Sequence, residues 1–343
     1  TRSFWTGGGL AQWLGTRSYS LYLWHWPVVV LLARLDGLRE PLAVFAGLAV
    51  TMILGDLSYR FVETPARKRV GTLRIRWAAT AMLGAALVVG VSGWAVRRLD
   101  GVAGRLPAQA DLVASEASNV NPRQGECQPG TGGTSPSCIY GGSRIATILL
   151  GDSHANSVVT AMAASIPNPG DGVVQWSYDG CPFLFGANPS PNFLAISNSG
   201  YSCGRFLDWV RQQLRGVPRE VPVVVVTRAS VYALGYNEPP KAGAKAKTPL
   251  VYFSQVYPTA TPEFLAEFSQ SLVGTACELA KDRPVYLVRP IPEMGVNVPK
   301  AMARAMSLGI QKDISITLAE YRQRNAFVWA AQDAARERCG IKI

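Results

Sequence analysis

The stretch Gly151-Asp152-Ser153-His154 holds the residue types best suited to covalent chemistry in this 343-residue chain. A serine at a tight turn reads as a nucleophile, and a serine nucleophile needs a base, usually histidine. The chain has two histidines. His154 is the serine's neighbour, and His25 lies far upstream in a hydrophobic run. Adjacent residues project differently, so His154 reads as support for the serine rather than its base. "RIATILL" before the turn reads as a buried strand, and Asn156–Ile166 after it as a helix. Ser153 then sits near a helix N-terminus, where free N–H groups and the helix dipole favour developing negative charge. Its own N–H is a candidate oxyanion donor. A plainer reading has Asp152 or Ser153 capping the helix. GxSxG, the Walker loop and GxGxxG are all absent, which excludes the hydrolase elbow and the common nucleotide-binding loops.

The surrounding elements repeat the strand-helix pattern. "VVQWS", "VPVVVVT" and "PVYLVRP" read as strands, and "IKI" at residues 341–343 as the start of another. Tyr201–Leu214, Pro262–Lys281 and Ile314–Cys339 read as helices. Alternation of this kind predicts a three-layer α/β domain, a parallel sheet of flavodoxin-like type with helices on both faces. Ligands of such sheets bind at the carboxyl ends of strands, where Gly151–His154 would lie.

Residues 1–99 differ in kind. Mean hydropathy is +0.11 for the whole chain, and the apolar runs concentrate in this part. Trp77–Val96 is 20 residues without a charge, enough for one membrane crossing. Ser18–Ala33 and Pro41–Leu57 are two shorter runs, and three in series predict a membrane bundle. Arg60, Arg67, Lys68, Arg69, Arg74 and Arg76 lie between the second and third runs, while Arg97 and Arg98 follow the third. The positive-inside rule then places everything after Asp100 outside the cytoplasm. The basic excess flanks apolar runs, which is a topology signal and not a nucleic-acid footprint. The opening "TRSFWTGGGL" reads as the interior of a longer membrane protein.

All six cysteines fall in the part predicted to be exported, and none forms a CxxC pair. That pattern predicts disulfides rather than a metal site. Cys127–Cys138 and Cys181–Cys203 follow from short spacing, and Cys277–Cys339 from two helices expected to be neighbours. The expected organisation is a membrane segment over 1–99, a Gly/Pro/Ser/Asn-rich linker over 100–143, and the α/β domain over 144–343.

Two sets of motifs resemble known families. "SYSLYLWHWPV" (Ser18–Val28) and "LSYRFVETPARK" (Leu57–Lys68) resemble the C-terminal end of the acyltransferase-3 family of integral-membrane O-acyltransferases. "LLGDSHAN" (Leu149–Asn156), "YDGCPF" (Tyr178–Phe183) and "VRPIPEM" (Val288–Met294) resemble an SGNH-type domain fused behind such units. The resemblance implies O-acylation, often acetylation, of a cell-envelope glycan by a multi-pass protein of the cell membrane. The acyl donor, acetyl-CoA, is used by the membrane unit, and no cofactor is bound. The implied partners are the lipid bilayer, the glycan acceptor and the missing N-terminal membrane helices of the same protein, with no nucleic acid. Ser153 is the implied nucleophile. The family's Asp and His partners come from a DxxH block, and this chain stops before one, so both are expected to be absent. Gly180 and Arg228 are further oxyanion candidates, the second standing in "TRASVY" where a GxND block is missing. Asp152 and His154 are expected to support the serine from behind. Glu63 and Arg67 match a Glu-x-Pro-x-Arg signature, and His25 is an ionisable candidate within a predicted span. Two other functions stay open: an esterase removing acyl groups from envelope glycans, and a noncatalytic glycan-binding domain on a membrane tether.

Overall fold

The computed structural model describes residues 8–34, 40–72, 74–99, 101–102, 104, 106–237, 248–311 and 313–343. The chain divides into two compact units, Thr1–Ala103 and Gly104–Ile343.

The first unit is helical: Gly9–Arg34, Pro41–Ser58, Thr64–Gly71 and Ile75–Arg98, with a π-helical turn at Tyr59–Glu63. Among the described residues two helices are long and apolar enough to cross a membrane, Pro41–Gly71 and Ile75–Arg98. The expected span Ser18–Ala33 lies inside the 26-residue helix Gly9–Arg34, which is not among them. Its apolar run is interrupted by Gln12, Thr16, Arg17, Ser18 and Ser20. This helix packs against Pro41–Ser58 at two glycines, and a Cβ at Gly47 or Gly55 would strike Leu32 or Leu21. Small residues at a helix crossing let the backbones approach closely.

The second unit is built on a five-stranded sheet. Its strands in chain order are β1 (Cys138–Gly141), β2 (Arg144–Gly151), β3 (Asp171–Ser177), β5 (Val223–Val226) and β7 (Val285–Leu287). β4 (Asn188–Pro189) and β6 (Val251–Tyr252) form a separate two-residue ladder. The spatial order is β1-β3-β2-β5-β7. β3, β2, β5 and β7 are parallel, and β1 runs antiparallel on the edge, so the sheet is mixed where a parallel one was expected. β1 pairs with β3, and the two residues that join it to β2 are too few for the crossover a parallel strand would need. Lys342 bridges Tyr286 in parallel, so the "IKI" end continues the sheet beside β7. Counting only parallel members, the order is 2-1-3-4 with Lys342 next. That is the doubly wound, flavodoxin-like arrangement, and its switch point lies between β2 and β5.

Strand alternation feeds two cores. Ile148, Leu150, Val174 and Trp176 enter one, with Phe206 and Val210, Phe264 and Phe268, and Val328 from helices Cys203–Leu214, Pro262–Ala280 and Leu318–Cys339. Leu149 and Val173 enter the other, with Ala155 and Val159 of helix Ser153–Ala164. The stretch expected as a linker is built into this unit. It supplies β1, the helix Ala108–Ser115 with Ala110 fully buried, and the Cys127–Cys138 disulfide. Composition misled here because Gly and Pro mark tight turns as readily as linkers.

Candidate active site

β2 ends at Gly151, whose φ is 148°. A Cβ there would lie 1.9 Å from the Val226 carbonyl oxygen, so only glycine fits this crossing of two strand ends. The Gly151 carbonyl accepts the Tyr178 N–H at 3.0 Å, which brings in the end of β3.

Asp152 is the N-cap of helix Ser153–Ala164, and its side chain accepts the His154 N–H at 2.8 Å. The other carboxylate oxygen accepts the Arg228 N–H at 2.9 Å and the Tyr232 hydroxyl at 2.8 Å. One fully buried carboxyl therefore ties the end of β2, the start of the helix and the turn after β5 together. Burial pushes the Asp152 carboxyl above the usual range, with His154 and the three donors pulling the other way. Burial, with Asp152 beside it, also pushes the Tyr232 phenol well above its ordinary value.

Ser153 opens the helix and is partly exposed. Among the described residues neither its hydroxyl nor its N–H has a hydrogen-bond partner; its carbonyl accepts Ser157 Oγ at 2.9 Å. Gly180 is the third residue of the turn Tyr178–Cys181, closed by the Cys181 N–H to Tyr178 O at 3.1 Å. Its φ of 69° suits the glycine position of such a turn. Its carbonyl accepts the Tyr201 hydroxyl at 2.9 Å, while its N–H is unpartnered among the described residues. The disulfide Cys181–Cys203 holds the turn against helix Cys203–Leu214. The turn therefore abuts the end of β2 with an N–H to spare.

Arg228 is tied down at two points. Its N–H is committed to Asp152, and its Nε donates to Glu293 at 2.6 Å. Glu293 is buried and also accepts Arg324 Nε at 2.5 Å. Arg324 in turn donates to the Gly235 carbonyl at 2.8 Å. The Arg228-Glu293-Arg324 cluster braces the loop after β5 against the loop after β7. Glu293 stands in "VRPIPEM", but its partners come from distant segments, which no local pattern shows.

His154 is half-buried, and its Nδ1 is buried without a partner among the described residues. It makes no hydrogen bond to the Ser153 hydroxyl. A second network missed in the sequence lies one helical turn on: Asn156 Oδ1 accepts Asn121 Nδ2 at 2.7 Å and Gln175 Nε2 at 3.1 Å. Gln175 also donates to Ser177 Oγ at 2.6 Å. Helix Ser153–Ala164 is thereby pinned to β3 and to the segment before β1.

The three membrane-unit candidates lie in the first unit. Glu63 accepts the Ser20 hydroxyl at 2.6 Å and pairs with Arg67 at 2.6 Å, joining helix Gly9–Arg34 to the π-helical turn. His25 is exposed, and its Nδ1 lies 2.7 Å from the Tyr22 carbonyl of its own helix. All three disulfides form in the expected pairs, Cys127–Cys138, Cys181–Cys203 and Cys277–Cys339. Glu126 lies close to Cys127 and Cys138, but both sulfurs are consumed by their mutual bond.

A partly exposed serine opens a helix at the carboxyl end of the strand beside the switch point. A family model described as "SGNH domain (fused to AT3 domains)" matches residues 125–343. The chain belongs to this SGNH family. Similar proteins include "Peptidoglycan O-acetyltransferase OatA" of Listeria monocytogenes, 42% identical over 59 residues, 17% of this chain and 10% of that protein. "Putative peptidoglycan O-acetyltransferase YrhL" of Bacillus subtilis is 40% identical over 83 residues, 21% of this chain and 13% of that protein. "Putative O-acetyltransferase SACOL0978" of Staphylococcus aureus is 42% identical over 66 residues, 19% of this chain and 11% of that protein. The chain thus covers about a tenth of the length of these relatives.

Proposed function

We propose that this SGNH domain takes part in O-acyl transfer, acetyl in the first instance, to a hydroxyl of a cell-envelope glycan. The observation that carries the reading is the partly exposed Ser153 hydroxyl at the switch point, without a partner among the described residues, with the N–H groups of Ser153 and Gly180, likewise unpartnered among them, nearby in the fold. In this reading the Ser153 oxygen attacks the acyl carbonyl and gives up its proton to a base. The carbonyl oxygen becomes an oxyanion, held by the Ser153 and Gly180 N–H groups. The donor leaves with a proton, and an acyl-serine remains. A glycan hydroxyl then attacks that ester, and Ser153 is regenerated. No described residue bonds the Ser153 hydroxyl, so this reading assigns the base to the DxxH block that the family resemblance implies. Asp152 keeps the turn in shape and does not touch the acyl group.

The same reading places the first unit in the membrane as part of an acyltransferase-3 bundle, with Gly104–Ile343 on the outer side. The two apolar helices, the Arg/Lys-rich segment Arg60–Arg76 and the three disulfides support that placement. Acetyl-CoA would serve as cytoplasmic donor to that bundle.

A second reading is an esterase, favoured by the exposure of Ser153 to water. One assay separates the two. The full-length protein is given acyl donor and glycan, and glycan-bound ester is measured. Net gain supports transfer, and net loss supports hydrolysis. Ser153→Ala should remove either by about 10³-fold or more. A Ser153→Ala protein with unchanged turnover would overturn both.

A further inference from the structure

The segment Val296–Ile310 carries Lys300 and Arg304 and no acidic residue. Its core is the helix Val298–Ser307, capped at its start by Asn297. Ala303 and Ala305 are buried, and the helix Ala108–Ser115 packs against it. The other face is open. Met302 and Met306, one turn apart, are 42% and 39% exposed, and Leu308 and Ile310 are 50% and 49% exposed. The end of the helix is rigidly formed. Gly309 has φ 64°, its N–H reaches the Met306 carbonyl at 3.2 Å, and the Ile310 N–H reaches Ala305 at 2.9 Å. That double closure is a Schellman cap, which fixes where Leu308 and Ile310 stand.

We propose that this helix and its terminal turn rest on the head-group surface of an anionic lipid bilayer. Apolar side chains flanked by cations, without acids, are the composition of an interfacial helix. Anionic head groups complement Lys300 and Arg304. The chain also limits the distance. Nine residues lie between Arg98, the end of the apolar helix Ile75–Arg98, and Ala108, where the packed helix begins. An extended chain of that length spans at most about 35 Å. The proposal rests on the membrane placement given above. It also orients the domain. The loop between β7 and this helix leaves the carboxyl end of the sheet, and its Glu293 bonds Arg228, whose N–H bonds Asp152 next to Ser153. Docking through Val296–Ile310 therefore turns the Ser153 end of the sheet toward the membrane, where an acyl group passed across it would emerge.

The test uses the whole 343-residue chain in vesicles of phosphatidylcholine with and without phosphatidylglycerol. All six native cysteines are in disulfides, so Met306→Cys or Leu308→Cys gives a single site for an environment-sensitive fluorophore. Glu220→Cys, exposed before β5 at the opposite end of the sheet, is the control. The expected result is quenching by spin-labelled lipid several-fold stronger at residues 306 and 308 than at 220. It should rise with phosphatidylglycerol and fall in a Lys300→Glu/Arg304→Glu background. Equal quenching at all three sites overturns the proposal. So does a probe shielded from aqueous quencher yet out of reach of the lipid quencher, because that face would then be covered by protein. Failure of the chain to float with vesicles overturns the membrane placement itself. Ser153→Ala leaves the quenching unchanged, so the docking and the chemistry fail separately.

Discussion

The carbonyl oxygen of Val226 occupies the space that a side chain on Gly151 would need, 1.9 Å from its ideal Cβ. β2 and β5 meet there in register, Gly151 beside Val226, at the switch point of the sheet. Gly151→Ala must push the strand ends apart at a φ of 148°. The expected cost is about 1–3 kcal/mol of stability, as for an overpacked core site. The proposed acyl transfer should fall much further, because Ser153 is two residues on. Chemical denaturation and the ester assay check the two effects, and an unchanged midpoint would contradict the packing argument.

Asp152 predicts a pH dependence. Its carboxyl is held above its unfolded value of ~4 by burial. A raised folded-state value means the folded chain keeps the proton longer than the unfolded one. This group's contribution is therefore fully present below pH ~4 and is lost as pH rises through the raised value. Asp152→Asn removes that slope. The amide NH₂ would also face donors from Arg228 and Tyr232 or from His154, so the variant should lose about 1–3 kcal/mol at low pH. The gap to wild type should narrow as pH rises, measured by urea midpoints between pH 3 and 8. A parallel pair of curves would refute the assignment.

Glu293 holds two guanidinium groups in a buried setting, Arg228 at 2.6 Å and Arg324 at 2.5 Å. Glu293→Ala leaves both without their carboxylate. The expected loss is about 3–5 kcal/mol, the usual effect of removing one partner of a buried pair. Arg228→Ala in that background should restore part of it. Thermal unfolding of the single and double variants gives the coupling, and additive losses would show that the pair does not act as a unit.

The disulfide Cys127–Cys138 closes an 11-residue separation in the stretch that leads into β1. Cys127→Ser/Cys138→Ser should cost about 2–4 kcal/mol by freeing the unfolded chain. Hydrogen exchange in β1 should rise before that in β2, because β1 has a neighbour on one side only. Equal protection in both strands would argue against a stapled edge.

Much of this was legible in residue order. Alternation of apolar runs marked β2, β3, β5, β7 and the long helices, since each element must bury one face. Gly-Asp-Ser before a helix marked the turn, and cysteine spacing marked the pairs Cys127–Cys138 and Cys181–Cys203. The edge strand β1 and the packed helix Ala108–Ser115 were hidden by a Gly- and Pro-rich composition. Two partnerships at the site were not visible along the chain. Arg228 was an oxyanion candidate, and the bond from its N–H to Asp152 has no local signal. Glu293 was read only as part of a motif.

Local sequence alone decided the elements and the place of Ser153 at a strand end, because periodicity, turn chemistry and helix capping act within a few residues. Only the tertiary structure decided the mixed strand order, the burial of Asp152 under three donors and the commitment of Arg228. Those depend on which segments meet across gaps of 65 to 80 residues. A buried donor takes whichever acceptor the packed chain sets beside it, and that pairing has no signature along the strand of residues on either side.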